Sequence, residues 1–550
     1  MASEKTSEES TAVDGGGPNP TTETSAQEEE EEEEEEEAYS VFAAPVRRVI
    51  TILLGAATLT SPLTATIYLP LLPVLAAHFH VSLQRVNLTI TVYIIFQALA
   101  PVLLSTFSDT LGRRPVVLAA FAIFALASLG LALNRSSYAA LLVLRALQSL
   151  GSSAVLSICY GVVADVCVPS ERGRMLGPVM AAANLGTAVG PVVGGWIALS
   201  SGGGVWWAFW ALVIFAVVML AALATFLPET ARNVVGNGRV RDQVWNRPLI
   251  NLNKRVDLES GSSNNDSSNH AGLPKRSAKF RSPLSSIRIM VYPDTALILW
   301  IVGSFYALWY TVQSSIPSTY GRHPYNFDEL QIGLAYLPGS AGVVVCMYIT
   351  GKAMDYNYRL VARQTGLEVD KVKGDDLAKF PIERARARGC IWLLLASLGI
   401  TIGYGWAIEE HVHVAVPLMF QAVMGFLSTW IVNCFNALLV DGYPKMPSTA
   451  ATAGNLIRCA MSAAAVAAMQ PLFDAMGRGW FFTLAGVLSG VGGAAAVSAL
   501  NSKGMAWRSR RSETQTHDQA ATAHVSPQQH RGESSDEPTT SMELRQSKKT

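Results

Sequence analysis

Apolar runs long enough to cross a bilayer recur through this chain, and its polar positions gather in the connections between them. At about 20 apolar residues per helical crossing, runs near 49–76, 87–107, 115–133, 139–166, 176–200 and 205–227, then 293–316, 330–354, 389–408, 413–440, 450–474 and 479–499, predict twelve spanning helices. Pro62, Pro70 and Pro73 interrupt the first run, and the third is short. The basic residues fall in alternate connections: Arg47 and Arg48, Arg113 and Arg114, Arg172 and Arg174, Lys275 to Arg281, Lys371 with Arg384 to Arg388, and Arg508 to Arg511. The other connections hold isolated charges such as Arg85, Arg135, Arg322 and Arg478. Positively charged loops stay in the cytoplasm, so both chain ends are expected there.

Composition agrees. Half of the 550 residues are hydrophobic and 15% are charged, and the formal net charge of zero hides an acidic run from Glu28 to Glu37 that offsets basic loops far away. No nucleic-acid footprint follows. The six cysteines lie in or beside apolar runs without the spacing of a disulfide framework or a zinc site, and no metal or cofactor is expected. No basic stretch with a cleavage site precedes the first run, which is therefore read as directing insertion itself. Residues 1–45 read as a disordered acidic cytoplasmic tail, 46–228 and 293–500 as two six-helix halves, 229–292 as a Ser/Asn-rich cytoplasmic linker, and 501–550 as a second disordered tail.

The halves share a pattern. Ser105-x-x-x-Asp109-x-x-x-Arg113 follows the second run and Gly351-x-x-x-Asp355-x-x-x-Arg359 the eighth. Asn184-Leu185 matches Asn455-Leu456, and Asp165 matches Asp441, with the spacing lengthened across the loop 364–388, as a parallel repeat with one enlarged loop requires.

Three motifs carry a family resemblance: STFSDTLGRR at 105–114, Arg145-Ala-Leu-Gln148-Ser-Leu-Gly151, and Gly186 to Gly195. They resemble the cytoplasmic loop, fourth-span and fifth-span antiporter motifs of the major facilitator superfamily, in its twelve-span drug:proton antiporter branch. The strings at 62–76, 87–101, 227–238, 380–389 and 451–459 are similar to the fungal quinidine-resistance group and its organic-acid-exporting relatives. Ser105 and Ser149 stand where those motifs have glycine, and Gly454 where relatives often have asparagine. The resemblance implies an all-α membrane protein of twelve transmembrane helices in two six-helix halves. It implies a monomer in the plasma membrane that exports a drug-like compound or secondary metabolite by alternating access, with the proton as coupling ion.

On this reading Asp109, Arg113 and Arg114 form a latch, with Asp355 and Arg359 as its weaker counterpart, although topology alone accounts for the arginines. Gly190, Pro191, Gly194 and Gly195 make a bent helix that packs closely. Arg145 is costly inside a span and shares a helix face with Gln148; Arg458 does the same with Asn455. Tyr68, Asn184 and Tyr306 complete the candidate substrate contacts. Asp165, Glu229, Asp294, Asp355, Glu409, Asp441 and Asp474 all fall near span ends, so proton coupling rests on the resemblance, with Asp165 and Asp441 as secondary candidates. Two mid-span arginines without buried acids also suit a carboxylate substrate. A non-transporting receptor or scaffold is the rival from another class. Enzyme motifs are missing, and no catalytic residue is assigned. His411 and His413 read as solvated loop residues, and Asn134 as a glycosylation sequon in a very short loop.

Overall fold

The computed structural model describes residues 42, 44–167, 172–200, 204–235, 289–365, 380–443 and 447–525. The acidic tail, most of the linker 229–292, the insertion around Lys371 and the end of the basic tail lie outside these residues.

The described elements are helical. The first half holds α1 (Ala44–Ile67), α2 (Leu83–Leu111), α3 (Arg113–Leu133), α4 (Tyr138–Val166), α5 (Arg172–Ser200) and α6 (Trp206–Phe226). After α1 a 3-10 turn and a short helix to His78 prolong the same crossing. Pro70 and Pro73 sit in their first turns, where a missing N–H costs nothing. Ser82 and Ser137 cap α2 and α4 by accepting from Arg85 N and Ala140 N, at 3.4 and 3.2 Å.

The second half holds α7 (Pro293–Tyr320), α8 (Leu337–Thr365), α9 (Cys390–Glu409) and α10 (Ala415–Asp441). Short helices Glu329–Leu334 and Ile382–Ala387 precede α8 and α9.

Eleven segments are long and apolar enough to span a membrane, and the last of these, Thr449–Arg511, has 63 residues. At 1.5 Å per residue that is about 95 Å, far beyond one crossing of about 30 Å. Gly477, with φ 77 and ψ 169, breaks it. The two parts, α11 (447–476) and α12 (478–525), restore the expected twelve.

The same turn chemistry recurs where α3 begins. Gly112 (φ 111) and Gly477 each adopt backbone angles that side-chain-bearing residues rarely take, and each is followed by an arginine that opens a helix. A carboxylate from elsewhere then accepts the first helical N–H groups. Glu229 takes Arg113 N and Arg114 N at 2.8 and 3.1 Å, and Glu409 takes Arg478 N and Gly479 N at 2.9 and 3.4 Å. Such anions offset the exposed donors of a helix N-terminus.

Packing repeats between the halves: α1 lies on α5 as α7 lies on α11, α2 on α4 as α8 on α10, and α3 on α6 as α9 on α12. Between halves, α2 runs along α11, and α5 meets α8 and the helix before it. Large apolar residues such as Ile52, Leu126, Trp207, Ile214, Trp392 and Trp480 point outward from the bundle, as a lipid-facing belt does. One end of the bundle carries the corners at Arg113, Arg386 and Arg511 and is called the basic face; the other is the far face.

Candidate functional site

Arg145 lies seven residues into α4 and is 1% exposed. Its guanidinium stacks over the Tyr68 ring at 4.1 Å and the Tyr93 ring at 4.5 Å, and Nη1 donates to Gln148 Oε1 at 2.8 Å. The surroundings are fixed in turn. Gln148 Nε2 donates to Ser128 Oγ, Thr89 Oγ1 to the Tyr68 hydroxyl, and Tyr93 OH to the Ser61 carbonyl, at 2.9, 2.8 and 3.0 Å. Arg145 Nε has no hydrogen-bond partner.

Arg458 on α11 repeats the arrangement from the second half. Its guanidinium covers the Tyr306 ring at 4.4 Å, Nη2 donates to Asn455 Oδ1 at 2.6 Å, and Nε again lacks a hydrogen-bond partner. Tyr306 and Tyr310 sit one turn apart on α7, with ring centroids 5.1 Å apart. Tyr310 lies within electrostatic reach of Arg145, and Tyr160 of α4 within reach of Arg458, so the two sites adjoin between the halves at different depths, Arg458 standing farther from the far face.

Among the described residues no carboxylate pairs with either arginine. A guanidinium stays charged at any physiological pH. Each cation–π contact returns about 2 kcal/mol when desolvated, against a burial cost of several kcal/mol per ion. Arg145 is thus a buried cation and Arg458 a half-buried one, and no described carboxylate neutralises either. Asn184 Nδ2 donates to Met180 O of its own helix at 2.8 Å.

At the far face the halves meet backbone to backbone. A Cβ at Gly333 would stand 2.6 Å from Pro191 O and 3.4 Å from Val192 Cα, and one at Gly195 would overlap the Glu329 carbonyl. Gly190 and Gly194 serve a different contact, α5 against Thr66 and Ile67 within the first half. The buried core crosses between halves here through Ile316, Tyr320, Ile332 and Tyr336. Nearer the basic face, a Cβ built at Gly177 of α5 or Gly351 of α8 would meet open space. The halves are thus closed against each other at the far face.

At the basic face Arg113 pairs with Asp109 and, through Nε, with Asp165 Oδ2 at 3.0 Å. Its guanidinium lies flat over Gly161, where a Cβ would come 2.7 Å from Cζ. Arg114 points elsewhere and donates to Ala224 O at 2.7 Å. In the second half the matching corner is not built from Asp355 and Arg359, which are exposed and enter no ion pair among the described residues. Arg386 fills the place, with Nε 3.0 Å from Asp441 Oδ2 as Arg113 has Asp165. The extra loop residues separate the acidic motif from its arginine, so the counterpart falls after the insertion. A further cluster, unforeseen from the sequence, ties α12 to α7 and α10: Arg511 pairs with Asp294 and donates to Tyr443 OH and Gly442 O at 3.1 and 2.8 Å. Burial pushes the Tyr443 hydroxyl up to about 12, although the Thr295 hydrogen bond and Arg511 pull it down.

Two pseudo-equivalent helical bundles, a polar site between them and a close backbone contact at the far face define a multi-pass membrane transporter. The family model of the Major Facilitator Superfamily matches residues 54–466, and the chain belongs to that superfamily. It is 37% identical to the MFS-type transporter phiD of Fungal sp. over 452 residues, 82% of this chain and 67% of that one. It is 32% identical to Citrate exporter 1 of Aspergillus niger over 445 residues, 78% of this chain and 81% of that one. Among solved structures, the human organic anion transporter MFSD10 matches with TM-score 0.51 and 18% identity, covering 82% of this chain and 99% of that one. A D-xylose-proton symporter matches with TM-score 0.55 and 15% identity, covering 82% and 96%. These two share the fold. Transport of a small molecule, and not enzymatic catalysis, is the activity of this family.

Proposed function

We propose that this transporter exports a small organic acid by alternating access. The observation that carries the reading is the pair Arg145 and Arg458: two guanidinium groups between the halves held by tyrosine rings, each with an unengaged Nε and neither paired with a described carboxylate. A guanidinium fork matches a carboxylate in shape and charge, and the tyrosines offer flat apolar surface to the rest of the molecule. An acidic secondary metabolite fits both. With the basic face read as cytoplasmic, the closed far face is the outer one, which supports reading this as a state that receives solute from the cell. The resemblance of the chain to a citrate exporter supports the same substrate class.

Export of an anion is favoured by the membrane potential itself, by about 2.3 kcal/mol per charge per 100 mV. Proton exchange would run through Asp109 and Asp165 around Arg113, because the described carboxylates lie near helix ends. We take the plasma membrane and a monomer from the family resemblance. A deletion strain tests the substrate class. Loss of export of a carboxylic acid with unchanged efflux of a fluorescent lipophilic cation supports the reading, and the reverse pattern rejects it in favour of drug efflux.

A further inference from the structure

We propose that Gln313 and Gln421 form an uncharged second half of the substrate site, which binds a hydroxyl, carbonyl or amide group at the end of the acid remote from Arg145. The inference rests on the organic-acid reading and adds what the rest of the substrate must carry.

Both side chains are buried, at 4% and 0% exposure, and the nitrogen and oxygen of each carboxamide lack any hydrogen-bond partner. A carboxamide offers two donors and one acceptor oxygen. Buried polar groups are otherwise almost always paired, and two adjoining helices that both leave a whole carboxamide unpaired point to a ligand as the missing partner. Ser340 and Ser428 hydroxyls add two more unpaired groups on α8 and α10.

Position supports the assignment. Gln313 follows Tyr306 and Tyr310 by seven and three residues on α7, which puts it on the face that carries those rings. Gln421 packs beside Trp309 against Gly339, whose Cβ would stand 2.7 Å from the indole and 3.2 Å from Gln421 Cγ. Gln313 is seven residues from the far end of α7, Gln421 six from that of α10 and Arg145 seven from that of α4, so all three lie about 10 Å below the far face. An acid whose carboxylate rests on Arg145 therefore presents its other end to the second half at the level of these amides. Trp309, half-buried between them, supplies a flat apolar wall.

Thermal stabilisation of the purified full-length protein by matched acids tests this: citrate against tricarballylate, malate against succinate, and 4-hydroxybenzoate against benzoate. The wild type is expected to bind the hydroxylated member of at least one pair about tenfold more tightly, the worth of one good hydrogen bond. Gln313→Leu and Gln421→Leu should bring that ratio to about one by weakening the hydroxylated acid alone, and both should stay folded, since the carboxamides have no partners to lose. Equal affinity within every pair in the wild type, a preference that survives both substitutions, or equal weakening of both acids would overturn the subsite. Arg145→Gln separates the two ideas, because it should abolish binding of both members of a pair. A wild type that binds no acid of the panel overturns the organic-acid reading and the subsite with it.

Discussion

Gly333→Ala perturbs the far-face seal at a point where the geometry sets the size of the effect. The added methyl would stand 2.6 Å from Pro191 O and 3.3 Å from Pro191 C, both backbone atoms of the opposite half. Neither can rotate aside, so the halves must separate by several tenths of an ångström. Overpacking of this kind costs about 1–3 kcal/mol. Because the contact exists only when the far side is closed, the whole cost falls on the inward-facing state and moves the equilibrium toward the outward-facing one by about 5- to 150-fold. A cysteine at Val192 reports the change through its rate of labelling by an external, membrane-impermeant maleimide. The native cysteines Cys159, Cys167, Cys346, Cys390, Cys434 and Cys459 are all buried, so background is low. Labelling should rise by a factor within that range in Gly333→Ala, and likewise in Gly195→Ala. Gly194→Ala is the control, since its Cβ would strike Ile67 of the same half; it should lower stability without raising labelling. Unchanged labelling in Gly333→Ala, or an equal rise in Gly194→Ala, would refute the assignment of the seal.

Gly161→Ala should displace the Arg113 guanidinium from Asp165 and slow transport several-fold at normal surface abundance; full activity would show that this pair does not bias the conformational equilibrium. Glu229→Gln removes the charge from hydrogen bonds to two helix-opening amides and should cost about 1–3 kcal/mol of stability, read as a lower melting temperature of the purified protein. The Tyr443 hydroxyl, raised from about 10 to about 12, holds its proton more tightly folded than unfolded. Its contribution to stability is therefore complete below about pH 10 and declines as pH rises toward 12. A melting curve of wild type and Tyr443→Phe across that window should converge, and parallel curves would contradict the burial argument.

The sequence displayed the halves, the spans and both arginines with their polar neighbours, because each of these signals lies within one helix at periodic spacing. Arg145 with Gln148, and Arg458 with Asn455, are pairs three residues apart. What escaped it joins distant positions. Glu229 reaches Arg113 across 116 residues, Arg386 reaches Asp441 across 55, and the short helix Glu329–Leu334 meets the glycine motif only in three dimensions. The repeat led to Arg359 in place of Arg386 because the short motif kept its register while the insertion displaced its arginine. Gln313 and Gln421 gave no signal, since an unpaired carboxamide is defined by what surrounds it.

Passage of an acid across the bilayer by way of Arg145 and Arg458 is open to a direct measurement. In vesicles reconstituted with the purified chain, loaded with a radiolabelled carboxylic acid and clamped by valinomycin with a potassium gradient, release should quicken as the interior becomes negative and should vanish in Arg145→Gln. No release of any acid at any potential, while the same vesicles release a lipophilic cation, would contradict it.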